Sequence, residues 1–243
     1  MSPGRVDLWL VAPSFQPCHI AVEAVLDEAG RRRAMEYGDP RRAAWERRKQ
    51  AALRHILSAY LGRAPADICF VNGPQGKPML VDGANLEFNI SHSRDHTVIA
   101  VTRNGSLGVD LEHIRARARD QLALSILGPR AAARYFSLST HERSHAFSYA
   151  WSEREALGKL LGCGIGDGWH RVRAAFMSST LMTPNATLAT RRVDGCFFHY
   201  LEILPAFALV LCSALAISSI RIHDLCDLSH FLVIDERATP VVA

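Results

Sequence analysis

No apolar run in this 243-residue chain is long enough to cross a bilayer. The nearest, "FALVLCSALAI" at 207–217, falls short of the ~20 residues a spanning helix needs and reads as a buried strand. The opening "MSPGRVDLWLVAP" has no apolar h-region of a secretory signal, so a cytoplasmic protein without membrane partners is expected. The six cysteines, at 18, 69, 163, 196, 212 and 226, form no CxxC pair and have no histidine at zinc spacing. That argues against a structural zinc site or a disulfide framework and predicts buried thiols. Charged residues are held to 21% against 49% hydrophobic ones, which excludes a disordered chain. Aromatic residues make up 8%, and no nucleic-acid motif accompanies the basic residues, so no nucleic-acid partner is expected.

What is present is a mild positive excess, +4, gathered in the stretch 30–54. Its bland reading is a solvated helix face; its sharper one is a landing site for an acidic partner or a phosphate. The hydrophobic pattern predicts a strand at 6–11 and a helix at about 43–61 ended by Gly62. "ICFVNGPQGKPMLV" reads as two short strands about a Gly/Pro turn. Strands follow at 86–90, 96–103 and 107–113, the last two joined by "RNGS" as a hairpin. Ser139 and Glu142 have the spacing of a capping box, and the helix it opens runs through 145–162. Further strands are expected at about 171–177, 185–190, 196–203 and 207–213, with a patternless tail from 224. The order suggests an α+β fold of two similar lobes, 1–105 and 106–223, without a visible residue-level repeat.

Chemistry is concentrated in a few segments. In "LGVDLEHIR" (107–115), Asp110 and Glu112 alternate with Val109 and Leu111, so both carboxylates share one strand face. At roughly 6 Å apart they repel by roughly 2–3 kcal/mol at an effective dielectric near 20. In "WSEREALGK" (151–159), Trp151, Glu155 and Lys159 follow at i, i+4 and i+8 and lie on one helix face. Glu153 is offset from that face and is expected in solvent, while Leu157, Leu160 and Leu161 supply the apolar side. Asp110, Glu112 and Glu155 together make an oxygen cage suited to Mg2+, a cation that commonly serves phosphate or pyrophosphate chemistry. Lys77 in "QGKPML" and Ser91–His92 in "FNISHS" are candidate phosphate ligands upstream of that cage.

Taken together, "GKP" (76–78), "FNISHS" (88–93), "GVDLE" (108–112) and "WSEREALGK" (151–159), followed by "LGCGI", resemble the 4'-phosphopantetheinyl transferases of the larger, two-lobed class over roughly 70–213. The resemblance implies a pseudo-dimer of two α+β lobes acting as a monomer, with coenzyme A lying between them. It implies transfer of the phosphopantetheine arm to a serine of an apo acyl or peptidyl carrier protein, release of 3',5'-ADP, and a place in secondary metabolite biosynthesis. Asp110, Glu112 and Glu155 match the family's magnesium-binding acids, and Glu155 and Lys159 its catalytic pair. Lys77, Pro78, Ser91 and His92 match positions that hold the nucleotide and its 3'-phosphate. The family's phosphate-binding cation on the first long helix falls among Arg47, Arg48, Lys49 and Arg54, with Arg47 and Lys49 taken as cofactor-binding. One departure stands out: Arg154 replaces the usual lysine before the motif glutamate. The alternatives to transfer are a coenzyme A binder of the same fold and another Mg-dependent phosphohydrolase.

Overall fold

The computed structural model describes residues 4–15, 17, 19–73, 76–82, 85–117, 119–163, 169–182 and 190–225. Strand β1 (Arg5–Val11) leads to helices α1 (His19–Val25), α2 (Glu28–Met35) and α3 (Pro40–Leu61), then a 3-10 turn at Pro65–Asp67. β2 (Phe70–Asn72), β3 (Pro78–Leu80), β4 (Glu87–Ser93), β5 (His96–Thr102) and β6 (Leu107–His113) follow. Helices α4 (Asp120–Ile126), α5 (Pro129–Phe136), α6 (Thr140–Leu161) and α7 (Trp169–Phe176) come next. β7 (Thr190–Val193), β8 (Cys196–Leu201), β9 (Phe207–Ser213) and β10 (Ser219–Leu225) close the described chain. No helix among the described residues is long and apolar enough to span a membrane.

Two four-stranded sheets, ordered β10-β1-β5-β4 and β6-β9-β8-β7, carry the α+β fold, with β2-β3 as a separate ladder. Their inner faces meet through Val6, Leu8 and Leu10 of β1 and Val98 of β5 on one side, and Val109, Leu111, Leu209 and Leu211 on the other. The outer face of the first sheet packs on Leu53, Ile56 and Leu57 of α3. The outer face of the second packs on Ala156 and Leu157 of α6. With both faces covered, β9 is buried at all seven positions and reads as a continuous apolar run.

The two long helices are counterparts spaced by one hundred residues. Each has 22 residues and is closed by a left-handed glycine, Gly62 or Gly162. Arg54 and Arg154 are each 1% exposed. Arg54 donates to Ile68 O and lies over Phe70; Arg154 donates to Ile126 O and lies over Phe176. A short residue-level repeat, Arg-x-x-Leu-x-x-x-Leu-Gly at 54–62 and 154–162, thus underlies the two helices, contrary to the expectation of none.

Several sequence expectations are corrected. "RNGS" is no hairpin, since β5 pairs with β1 and β4 while β6 pairs with β9 in the other sheet. The stretch 171–177 belongs to helix α7, because Val172 and Phe176, four residues apart, are both fully buried. β10 lies mostly within the stretch assigned to the second lobe but pairs in parallel with β1 of the first. Most of the expected strand at 185–190, the tail beyond 225, Cys18 and Cys226 lie outside the described residues. Of the other cysteines only Cys212 is buried, and Cys69 is exposed.

Candidate functional site

β4 and β6 are edge strands of different sheets, yet they run side by side. No backbone ladder joins them; β4 side chains do. Asn89 Oδ1 accepts from Val109 N (2.9 Å), Ser91 Oγ from Leu111 N (3.0 Å) and Ser93 Oγ from His113 N (2.9 Å). Both strands therefore run the same way, and the alternate residues Asn89, Ser91 and Ser93 each satisfy one orphan N–H of β6. The opposing carbonyls are met by lysines: Lys77 Nζ donates to Leu107 O (3.3 Å) and Lys159 Nζ to Val109 O (3.0 Å).

Helix α6 lies directly against β6 because residue 108 is glycine. A Cβ there would stand 2.0 Å from Ala156 O and 2.6 Å from Leu160 N. This close approach brings the Glu155–Lys159 turn to the strand that carries Asp110 and Glu112. Lys159 Nζ donates to Asp110 Oδ1 (2.8 Å), Ser91 Oγ (2.8 Å) and Val109 O. Ser91 in turn donates to Asp110 Oδ1 (2.9 Å). The capping box of Ser139 and Glu142 holds the start of the same helix.

The three carboxylates feel one another. Burial, then Asp110, raises the pKa of Glu112, with Arg115, Arg119 and Ser93 opposing. Burial, then Asp110, raises that of Glu155, with Lys159 opposing and Glu112 reinforcing. Glu155 Oε1 is buried without a hydrogen-bond partner. A hard divalent cation suits this donor set, because it would satisfy that oxygen and offset the mutual repulsion. Among the described residues no three His, Cys, Asp or Glu side chains already stand in ligating arrangement. Here Lys159 supplies the counter-charge to Asp110.

A cleft of about 800 Å3 opens beside this cluster. His92 and Arg94 line it from β4 and its turn, and Arg41, Arg42, Arg48 and Lys49 from α3. Among the described residues the five Arg and Lys of the lining outnumber its three carboxylates, Asp39, Glu46 and Asp95. Lys49 sits 2.5 Å from Glu46. Desolvation in the cleft, then Lys49, holds the His92 pKa below the ordinary imidazole value, with Lys159 reinforcing and Glu46 and Asp110 opposing. His92 thus stands in the fields of both the basic cleft and the acidic cluster. A second cleft of about 780 Å3 occupies the matching place on α6, but among the described residues Arg134 is its one Arg or Lys, against Glu142 and Glu202. An anionic ligand therefore favours the first cleft.

Not every expected residue faces these features. Arg47 lies 3.4 Å from Glu23, and Arg54 is buried against Asp27; neither lines the large cleft. Lys77 is turned to Leu107 O, and Pro78 lines a small cavity of about 90 Å3. Glu153, expected in solvent, is 2% exposed. It accepts from Tyr200 Oη and lies between Arg154 (3.6 Å) and Arg191 (3.5 Å). Arg154, its pKa pushed down to about 10 chiefly by burial, is anchored on Ala150 O and Ile126 O and has no exposure to offer a phosphate. Leu161 is 41% exposed rather than part of the apolar side. Arg41 and Arg42 fall in the basic stretch 30–54 but were not singled out, and Arg94 was missed. Their arginines were visible in the sequence, but nothing there showed that the N-terminal turns of α3 and the β4–β5 turn share a cleft.

The profile of the 4'-phosphopantetheinyl transferase superfamily matches residues 106–209, the span that holds Asp110, Glu112, Glu155 and Lys159. A putative 4'-phosphopantetheinyl transferase of Synechocystis sp. is 30% identical over 168 residues, covering 68% of each chain. The chain belongs to the 4'-phosphopantetheinyl transferase superfamily. The 4'-phosphopantetheinyl transferase HetI of Nostoc sp. is 32% identical over 66% of this chain and 70% of its own. The 4'-phosphopantetheinyl transferase AcpT of Salmonella typhimurium is 32% identical over 64% of this chain and 77% of its own. This transferase therefore acts on the phosphopantetheine of coenzyme A, the substrate of its family.

Proposed function

We propose that this transferase moves 4'-phosphopantetheine from coenzyme A to a serine hydroxyl of an apo acyl or peptidyl carrier protein, with Mg2+, releasing 3',5'-ADP. The observation that carries this reading is the adjacency of a basic cleft and an acidic cluster along β4, where Ser91 bonds Asp110 and the next residue, His92, lines the cleft. A coenzyme A laid across that junction has its 3'-phosphate among Arg41, Arg48, Lys49 and His92, and its pyrophosphate toward Asp110.

Asp110, Glu112 and Glu155 would hold the cation, which supplies charge neutralisation at the pyrophosphate when bound. Glu155 would give the cation Oε1, buried and unpartnered here, and its second oxygen would take the serine proton. Lys159 has all three ammonium hydrogens engaged, so toward the departing nucleotide phosphate it acts by its fixed positive field. Gly108 keeps these groups together by letting α6 rest on β6. The doubled helix within one chain supports a monomer as the working unit.

The test is chromatographic detection of 3',5'-ADP after incubation with coenzyme A, Mg2+ and a purified apo carrier. Release that requires the carrier's acceptor serine supports transfer. Release from coenzyme A alone would mean hydrolysis, and binding without release would leave a coenzyme A binder.

A further inference from the structure

Ser91 is aligned with phosphate-holding positions by resemblance, but its surroundings give it other work. It is 4% exposed. A hydroxyl has one hydrogen to give and two lone pairs to share. Ser91 gives its hydrogen to Asp110 Oδ1 (2.9 Å) and accepts from Lys159 Nζ (2.8 Å) and Leu111 N (3.0 Å). That exhausts its capacity, and nothing remains for a nucleotide phosphate. Its neighbour His92, pointing the other way along the strand, lines the cleft instead.

Resting on the transferase reading above, we infer that Ser91 is a positioning residue: it fixes Asp110 and Lys159 against each other and takes no part in holding the nucleotide. Asn89 and Ser93 set the register of β6 on either side, bonding Val109 N and His113 N. Ser91 is the middle rung and also bonds the side chains of Asp110 and Lys159, while Ser93 bonds that of Glu112. By holding Oδ1 of Asp110, Ser91 restricts rotation of the whole carboxylate. Groups that orient a metal-binding carboxylate in this way typically matter by roughly 10- to 100-fold in metal affinity or activity.

The test compares Ser91→Ala and the near-isosteric Ser91→Cys with Ser91→Thr, which keeps the hydroxyl. Three readouts are taken: kcat and KM for coenzyme A, the Kd of 3',5'-ADP for the metal-free protein, and Mn2+ affinity by electron paramagnetic resonance with coenzyme A present. We expect Ala and Cys to lower kcat and weaken Mn2+ binding by roughly 10- to 100-fold, while KM and the 3',5'-ADP Kd stay within about twofold and Thr restores most of the loss. Retained 3',5'-ADP binding also reports that the variants are folded. A rise of about tenfold or more in the 3',5'-ADP Kd with kcat preserved would make Ser91 a nucleotide ligand and overturn the inference. Unchanged kcat and Mn2+ affinity in both Ala and Cys would overturn it as well. Should the unaltered protein transfer nothing, the transferase reading fails on its own, and Mn2+ affinity still decides the role of Ser91.

Discussion

Lys159 Nζ stands 2.8 Å from Asp110 Oδ1, across the contact where α6 lies against β6. The partner that a strand bearing Asp110 and Glu112 needs thus comes from the same helix face that presents Glu155. In Lys159→Met, Asp110, which is 6% exposed, loses a charge-assisted bond, and Ser91 and Val109 O lose a donor. Stranded polar groups of this kind cost about 1–3 kcal/mol. Thermal unfolding should therefore shift down by several degrees, together with a loss of turnover. An unchanged melting temperature would mean that the pair does not hold the site together.

Gly108→Ala should be more damaging than any loss of a single side-chain bond. The added methyl meets backbone atoms, Ala156 O and Leu160 N, which cannot swing aside as a side chain does. Overpacking of this sort costs about 1–3 kcal/mol or more. Since α6 must move off β6, turnover should fall further than stability alone explains. A fully active, folded variant would show that the helix can retreat without disturbing Glu155 and Lys159.

Arg154→Lys restores the residue usual in the family at a position that here is sealed in the core. A lysine cannot reproduce both carbonyl contacts and the stacking over Phe176. The expected result is destabilisation of about 1–3 kcal/mol with KM for coenzyme A within about twofold. A large change in KM with stability intact would return Arg154 to the phosphate.

Much of this was readable in advance, and the reasons are physical. Alternation of carboxylate and aliphatic residues in β6, and the i, i+4, i+8 line of Trp151, Glu155 and Lys159, are local periodicities that folding preserves. The capping box is equally local. What stayed hidden depends on partners distant in sequence. Glu153 is drawn into the core by Arg191 and Tyr200, from strands some forty residues away. Ser91 and Lys77 carry polar side chains that suit a phosphate, but the unpaired edge of β6 takes them up first. In α7, "RVRAAF" alternates over so short a span that strand and helix periods compete. β10 is largely exposed, so its pattern was faint. The two long helices share the glycine stop and the buried arginine but differ at most other positions.

His92 gives the account a pH signature. Its pKa is held below the ordinary imidazole value by desolvation first and by Lys49 and Lys159, against Glu46 and Asp110, so near neutrality it is uncharged. A phosphate bound beside it raises that pKa, so binding takes up a proton and weakens as pH rises through the pKa of the complex. Calorimetry of 3',5'-ADP binding near pH 7, in buffers of different ionisation enthalpy, should show proton uptake that His92→Gln abolishes. Uptake identical in the variant would place the phosphate elsewhere.

Carrier transfer is decided by intact-mass spectrometry of an apo carrier protein incubated with this protein, coenzyme A and Mg2+. The carrier should gain one phosphopantetheine arm, and EDTA or Glu155→Gln should abolish that gain. No gain on any of several carrier types, despite measurable coenzyme A binding in the basic cleft, would contradict it.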